Sequence, residues 1–350
     1  MLENKIKKVT DLSFYYNLEN NEKSKEKINN ELKDILLDLK HQAIKSFKEE
    51  SDFKNFLDNV CRFNNYSYNN QILIWLQNPN AKYVASFKTF SSMGYKINKD
   101  EKSMKILIPS FFKLVKIKLD EINYEIKPYS TLTDKEKEIY KDKNNGYITF
   151  FKDKLSRFRI GSVFDASQTN MPLEEINKKL NPIMIDSRSE GIEDVFIKAI
   201  YRDGFKVQYL ENIESDVKGY CDFENYTIFV KKGLSNLMRL KVVIHEYAHA
   251  LAHKHLKDNN QSYHEYRSKY ETEAESIAYV VSNYLGLDTS HYTIGYLYSW
   301  SREKDFKEID DSLKTIVKFS TKIISNYEEM YSKENLELSP LYGSYEEVQI

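Results

Sequence analysis

Residues 240–252 read Leu240-Lys-Val-Val-Ile-His-Glu-Tyr-Ala-His-Ala-Leu-Ala252, and the fold of the back half follows from that stretch. It is rich in helix formers, and on a helix residues four apart share a face. His245 and His249 therefore project side by side, with Glu246 next to them. This HExxH spacing lets two imidazoles bind one zinc ion while the glutamate faces the open coordination position. Three protein ligands leave a place for water, whose pKa zinc lowers to about 7. Glu246 is then the general base that takes the proton and passes it to a leaving amine. The competing reading is an ordinary solvated helix. Val242-Val243-Ile244 and Ala250-Leu251-Ala252 argue for burial instead, and buried imidazoles and carboxylates need partners.

A third ligand is required. His255 falls where the HExxHxxGxxH pattern puts a histidine, but residue 252 is Ala where that pattern turns on Gly. His253 lies one further turn along the same helix. Both are read as surface histidines. The better candidate lies in Tyr270-Glu-Thr-Glu-Ala-Glu275, on a second helix whose buried stripe is Ala274, Ile277, Ala278, Val281 and Leu285. Glu271 at the stripe's edge is assigned as the ligand. Glu275, one turn on, is assigned as the carboxylate that orients a ligating histidine. Glu273 is placed on the opposite flank, and the alternative is that all three are solvated charges. Just upstream, Asn225–Lys231 alternates like an edge strand that could pair with an extended peptide.

The front half differs. The 350 residues carry a net charge of −1, yet residues 1–160 hold 30 Lys+Arg against 22 Asp+Glu and the rest 22 against 31. A basic front and an acidic back indicate two modules with different partners. The pattern reads as helical over residues 1–50 around a loop at 20–30, and helical again from Phe53 to Gln77. Strands follow at 105–109, 113–118, 147–151 and 160–164, with a charged helix at 130–146. Beyond lie a helix at 191–202, strands at 205–210 and 225–231, and helix to about 331. The expected class is α+β. A mixed α/β domain (1–165) precedes a mainly helical domain with a small sheet (170–332) and a tail (333–350).

Between Val60 and Lys99 there are five cations and no acid. Cations that follow phosphates, interleaved with aromatics that stack on bases, suit unpaired nucleic acid. The candidates are Arg62, Tyr66, Tyr68, Asn70, Lys82, Lys88, Lys96 and Lys99, while Trp75 with Ile72–Ile74 reads as core. Met1–Asn20 lacks the apolar core of a signal peptide, and no run is long enough to span a membrane. Two cysteines, Cys61 and Cys221, give no disulfide framework. The expected location is the cytoplasm.

Tyr66-Ser-Tyr-Asn-Asn-Gln-Ile-Leu-Ile-Trp-Leu-Gln-Asn-Pro79, then Val84–Phe90, Gly94 and Ile106–Pro109, resembles the N-terminal module of ArdC-type antirestriction proteins. Phe164–Thr169, the HExxH helix, Glu271–Ala278 and Tyr296–Trp300 resemble the zincin-type half of the same family, over residues 30–330 in all. The metal half alone also resembles ImmA/IrrE peptidases. The resemblance implies His245, His249 and Glu271 at a zinc ion, Glu246 as base, and a front surface holding single-stranded DNA in a protein of mobile elements. Asp100-Glu-Lys-Ser103 replaces the family's Gly-Glu-Lys-Gly turn, which moves the DNA contacts to residues 62–99. The expected function is a zinc metalloendopeptidase that binds single-stranded DNA and cuts an unidentified protein or peptide. The alternatives are a DNA-coating protein with a non-catalytic metal site and a regulatory peptidase that cleaves a repressor.

Overall fold

A computed structural model describes residues 2, 4–9, 11, 22–142, 144–180, 191–213, 217–254, 263–289, 292 and 304–333. His255, His291, Tyr296–Trp300 and residues 334–350 lie outside the described residues, as do the side chains of Tyr263 and His264. The class is α+β. Along the chain come α1 (Glu22–Lys45), α2 (Glu50–Arg62), α3 (Tyr68–Gln77), β1 (Val84–Ser86), α4 (Phe87–Ser92), β2 (Met104–Lys118), β3 (Tyr124–Pro128), α5 (Asp134–Lys141) and β4 (Ile148–Asp165). Then follow α6 (Leu173–Leu180), α7 (Ile192–Arg202), β5 (Lys206–Leu210), β6 (Gly219–Asp222), β7 (Thr227–Lys231), α8 (Asn236–Ala252), α9 (Tyr263–Tyr284) and α10 (Phe306–Lys333).

Two compact units emerge, and neither is a simple half of the sequence. One comprises residues 1–39 and 105–162, the other 40–104 and 163–350. The 1–165 and 170–332 division is therefore not the division of packing. In the second unit, Phe53, Phe56, Leu57 and Val60 of α2 and Ile72 and Trp75 of α3 share one core with α7, α8, α9 and α10. Partly buried polar ties fix the same contacts. Tyr279 Oη and Asn283 Nδ2 donate to Asp58 Oδ1 at 2.7 and 2.8 Å, and Tyr68 Oη donates to Asp310 Oδ1 at 2.8 Å.

The first unit is built on β2, β3 and residues 148–162 of β4. Val115, Ile117, Leu132 and Ile148 form its small core, with Tyr129, Ile139 and Tyr140 against it. The expected pairs of short strands at 105–118 and 147–164 are in fact two long strands. Pro109 does not interrupt β2 because β3 pairs only with residues 114–118, leaving one side of β2 without that neighbour at Pro109. Two other expectations change. Phe53–Gln77 is two helices, broken at residues 63–67, and residues 22–30 are helical rather than a loop.

In the second unit Val84, Ala85 and Ser86 pair antiparallel with Asp165, Phe164 and Val163. Asp165 clamps this corner. Its Oδ1 accepts from the backbone N of Lys82 and Tyr83 at 2.7 and 3.1 Å, and its Oδ2 from the backbone N of Ser167 at 3.0 Å. The motif Phe164–Thr169 is thus a structural fastening. The small sheet has the order β5-β7-β6, with β7 parallel to β5 and antiparallel to β6. β7 is its central strand, not an edge. The burial of Thr227, Ile228 and Val230 fits that place. Among the described residues no helix is long and apolar enough to cross a membrane.

Candidate metal centre

Ser235 starts α8 by accepting the backbone N–H of Met238 on its hydroxyl. From there Met238, Lys241, Val242, His245, Glu246 and His249, at helical spacing, line a cleft of about 740 Å³. Residues 217–221 and 223 of the β6 region, Arg267, Glu271 and Glu275 of α9, and Tyr292 complete it. Strand β6 comes close to α8 because residue 219 is glycine. A Cβ there would lie 2.5 Å from Val242 Cγ1, 2.9 Å from the Phe229 carbonyl oxygen and 3.3 Å from Glu246 Cγ.

His245, His249 and Glu271 offer ligand atoms that lie within 4.8 Å of one another. His245 Nε2 and His249 Nε2 are 3.2 Å apart, and Glu271 Oε2 is 3.6 and 3.5 Å from them. Each imidazole turns its other nitrogen to a partner. His245 Nδ1 lies 3.3 Å from Glu275 Oε2. His249 Nδ1 lies 3.0 Å from His253 Nδ1, and His253 Nε2 lies 3.0 Å from Glu273 Oε2. Ser312 donates to the other Glu273 oxygen at 2.7 Å. One proton assignment satisfies every link: Nδ1–H on His245 and His249, Nε2–H on His253. Both Nε2 lone pairs then face the common centre, the donor set and orientation that a divalent cation requires. The residues fit a metal ion.

One expectation is corrected here. His253 is fully buried, not a surface histidine. Glu273 is 2 % exposed, which sets aside the alternative of a solvated charge at that position. A signal for both was present. His253 continues the four-residue row of His245 and His249, and Glu273 stands one turn before Ile277.

The charges are strongly coupled. Burial opposes protonation of His245, but its contacts with Glu271 and Glu275 outweigh that and hold its pKa at about 10. Burial likewise works against ionised Glu271, yet the two imidazoles keep its carboxyl far below the usual range. His249 is shifted down, chiefly by burial. Glu246 is shifted up, again chiefly by burial, against the pull of the two histidines. A dication held among these residues would take the place of that proton.

The nucleic-acid candidates do not converge. Lys82, Lys88, Lys96 and Lys99 are exposed. Tyr66, by contrast, is 7 % exposed, donates to the Val84 carbonyl and packs edge-on against Phe63. Tyr68 is held by Asp310 under Lys40. Asn70 is buried, and Arg62 donates to the Ala81 carbonyl at 2.6 Å. Neither ring offers a free face for a base, because the core of the second unit claims them. Trp75 is core, as its neighbours implied.

A cationic aromatic surface does exist in the first unit, outside the stretch singled out. On the face of β2 and β3 opposite their core, Lys116 and Lys118 pair with Ile126 and Tyr124. Tyr124 and Ile126 are exposed, and Lys116 Nζ sits 3.7 Å from the Tyr124 ring centre. On β4, Phe150 and Phe151 are exposed on opposite faces of the strand, with Lys152 Nζ 5.3 Å from the Phe151 ring centre. The period-two alternation of β2 was the available signal.

Residues 22–155 match the family model for the N-terminal domain of anti-restriction factor ArdC, and residues 200–285 match the IrrE N-terminal-like domain. Residues 22–155 and residues 200–285 are thus each similar to a known domain family. An uncharacterized protein of Bacillus anthracis is 27 % identical over 328 residues, which cover 89 % of this chain and 54 % of that protein. The chain thus spans about half the length of that relative. Two crystal structures of the antirestriction ArdC protein from the R388 plasmid are similar. The metal-free form has a TM-score of 0.42 at 17 % identity, covering 75 % of this chain and 86 % of that one. The Mn(II)-bound form has a TM-score of 0.41 at 16 % identity, covering 78 % and 86 %.

Proposed function

We propose that this ArdC-like chain is a zinc-dependent peptidase coupled to a single-stranded-DNA-binding module, serving antirestriction in the cytoplasm. The observation that carries the reading is the convergence of His245 Nε2, His249 Nε2 and Glu271 Oε2 in a cleft that also holds Glu246. A dication held there would polarise a peptide carbonyl and acidify water. Glu246 accepts the proton of the attacking water and returns it to the departing amine. Its burial supports this role, because a raised carboxyl pKa lies nearer the working pH of an acid–base group. Glu275 orients His245, and Glu273 orients His249 through His253. Strand β6, an edge of its sheet that lines the cleft, offers backbone groups to an extended peptide.

For the nucleic acid, the support comes from the first unit, where Lys116 and Lys118 of β2 pair with the exposed Ile126 and Tyr124 of β3 on one face. The test has two parts. Metal content of the purified protein should be near one zinc per chain and should fall to background in Glu271→Ala. Glu246→Gln should stop peptide hydrolysis while keeping metal and DNA affinity. Undiminished protection of DNA in cells by Glu246→Gln would instead identify a coating protein.

A further inference from the structure

One buried charged group in the cleft has no role in that scheme. Lys241 sits one turn before His245 on the cleft-facing row of α8 and is 7 % exposed. Among the described residues its ammonium has no hydrogen-bond partner. Its neighbour is the Tyr292 ring, whose centre lies 5.7 Å from Nζ and whose hydroxyl is 2.8 Å from Ser282 Oγ. An aromatic face repays only part of the hydration an ammonium gives up on burial. Fixed apolar packing does not call for lysine here, since methionine would fill the same space without a charge. The four-carbon stem is flexible enough to bring the ammonium to an incoming anion.

The surroundings favour an anion too. Lys218, Lys241 and Arg267 line the cleft together with three carboxylates, Glu246, Glu271 and Glu275. Glu271 and Glu275 face the histidines, so a dication at the triad turns the balance of the cleft positive.

We propose that Lys241 is the anchor of a carboxylate-recognition pocket, so that the peptide taken by this cleft carries an acidic group beside the bond to be cut. The group is an aspartate or glutamate side chain or a terminal carboxylate. This deepens the peptidase reading and rests on it for the identity of the ligand as a peptide.

The experiment measures binding apart from turnover. Zinc-loaded Glu246→Gln protein is titrated calorimetrically with short peptides that differ at one position, Glu, Gln or Lys, each with a free or an amidated C-terminus. The Glu peptide, or any free-terminus peptide, should bind at least tenfold more tightly than its neutral counterpart. Adding Lys241→Met, which keeps size and removes the charge, should erase that preference while leaving zinc content unchanged. The Gln-against-Glu arm and the amidated arm separate the two sources of carboxylate. Equal affinity for acidic and neutral peptides, a preference that survives Lys241→Met, or no binding by any peptide overturns the proposal. Failure of the peptidase reading shows differently. Zinc-loaded protein with Glu246 intact would then cut none of the peptides, while the Lys241-dependent preference in binding persisted.

Discussion

Single side chains set the chemistry through the nitrogen that each imidazole leaves free. A histidine on a helix can offer either ring nitrogen, and Glu275 and His253 remove that choice by engaging Nδ1 of His245 and His249. The longer of the two supports, His249 to His253 to Glu273 to Ser312, is wholly buried. Its role is to hold one proton on each histidine in a fixed place. Replacing Glu273 by Gln keeps the shape and one acceptor but removes the charge that favours the Nε2–H form of His253. Zinc affinity, followed by competition with a chromophoric chelator, should fall about 10- to 100-fold. Unchanged affinity would reduce the chain of contacts to packing. That His245 and His249 share one helix face was legible because i, i+4 spacing states a geometry outright, and Glu271 stood at the edge of its helix's buried stripe. The relay was not. A histidine at a helix end and a glutamate among other charges read equally well as solvated, and only packing against α10 shows that His253 and Glu273 are enclosed.

At the level of elements, the cleft exists because one strand and one helix approach closely. Gly219 permits it. In Gly219→Ala the new methyl meets the Phe229 carbonyl, which belongs to the neighbouring strand and cannot swing aside, as well as Val242. β6 must then back away from α8, at a cost of about 1–3 kcal/mol in stability. A lower Tm with weaker peptide affinity is the expected result, and an unchanged Tm would mean that the sheet absorbs the methyl. The sheet of the first unit invites a different test. Tyr124 is exposed beneath Lys116, so Tyr124→Ala should cost about 1–3 kcal/mol of single-stranded-DNA affinity if a base stacks there, with little change in folding. Filter binding across a salt series would read it. Helices were readable from their apolar rows, and strand existence from alternation. The exchange of β6 for β7 as the edge was not, because both carry short half-apolar runs and only tertiary pairing ranks them. The same holds for Tyr66 and Tyr68. Composition marks them as aromatic among cations, but whether a ring faces solvent is decided by which helix lies across it.

For the whole molecule, the interleaved units make a prediction that a linear two-domain reading does not. Residues 40–104 supply α2 and α3 to the core that supports α8 and α9. A fragment starting at residue 166 would leave uncovered the surface that Phe56, Leu57 and Trp75 occupy. Losing each large core side chain costs about 2–5 kcal/mol, and a domain's whole stability is about 5–15 kcal/mol. Such a fragment should be unfolded. The opposite excision should succeed. Lys105 Nζ lies 2.9 Å from Ser162 Oγ, and Lys118 N donates to the Tyr147 carbonyl at 2.8 Å, so β2 and β4 run side by side and the ends of segment 105–162 are neighbours. Starting the chain at Lys40 and joining Met104 to Val163 through a short Gly-Ser turn removes the first unit without stretching the second. This shortened protein should unfold cooperatively and keep its zinc. It should also lose salt-dependent affinity for single-stranded DNA, because segment 105–162 carries thirteen Lys+Arg against eight Asp+Glu together with the exposed rings. Full DNA affinity in the shortened protein would instead assign the contacts to Lys82, Lys88, Lys96 and Lys99, which it retains. Loss of zinc with a stable fold would mean that the first unit, too, is needed to shape the metal centre.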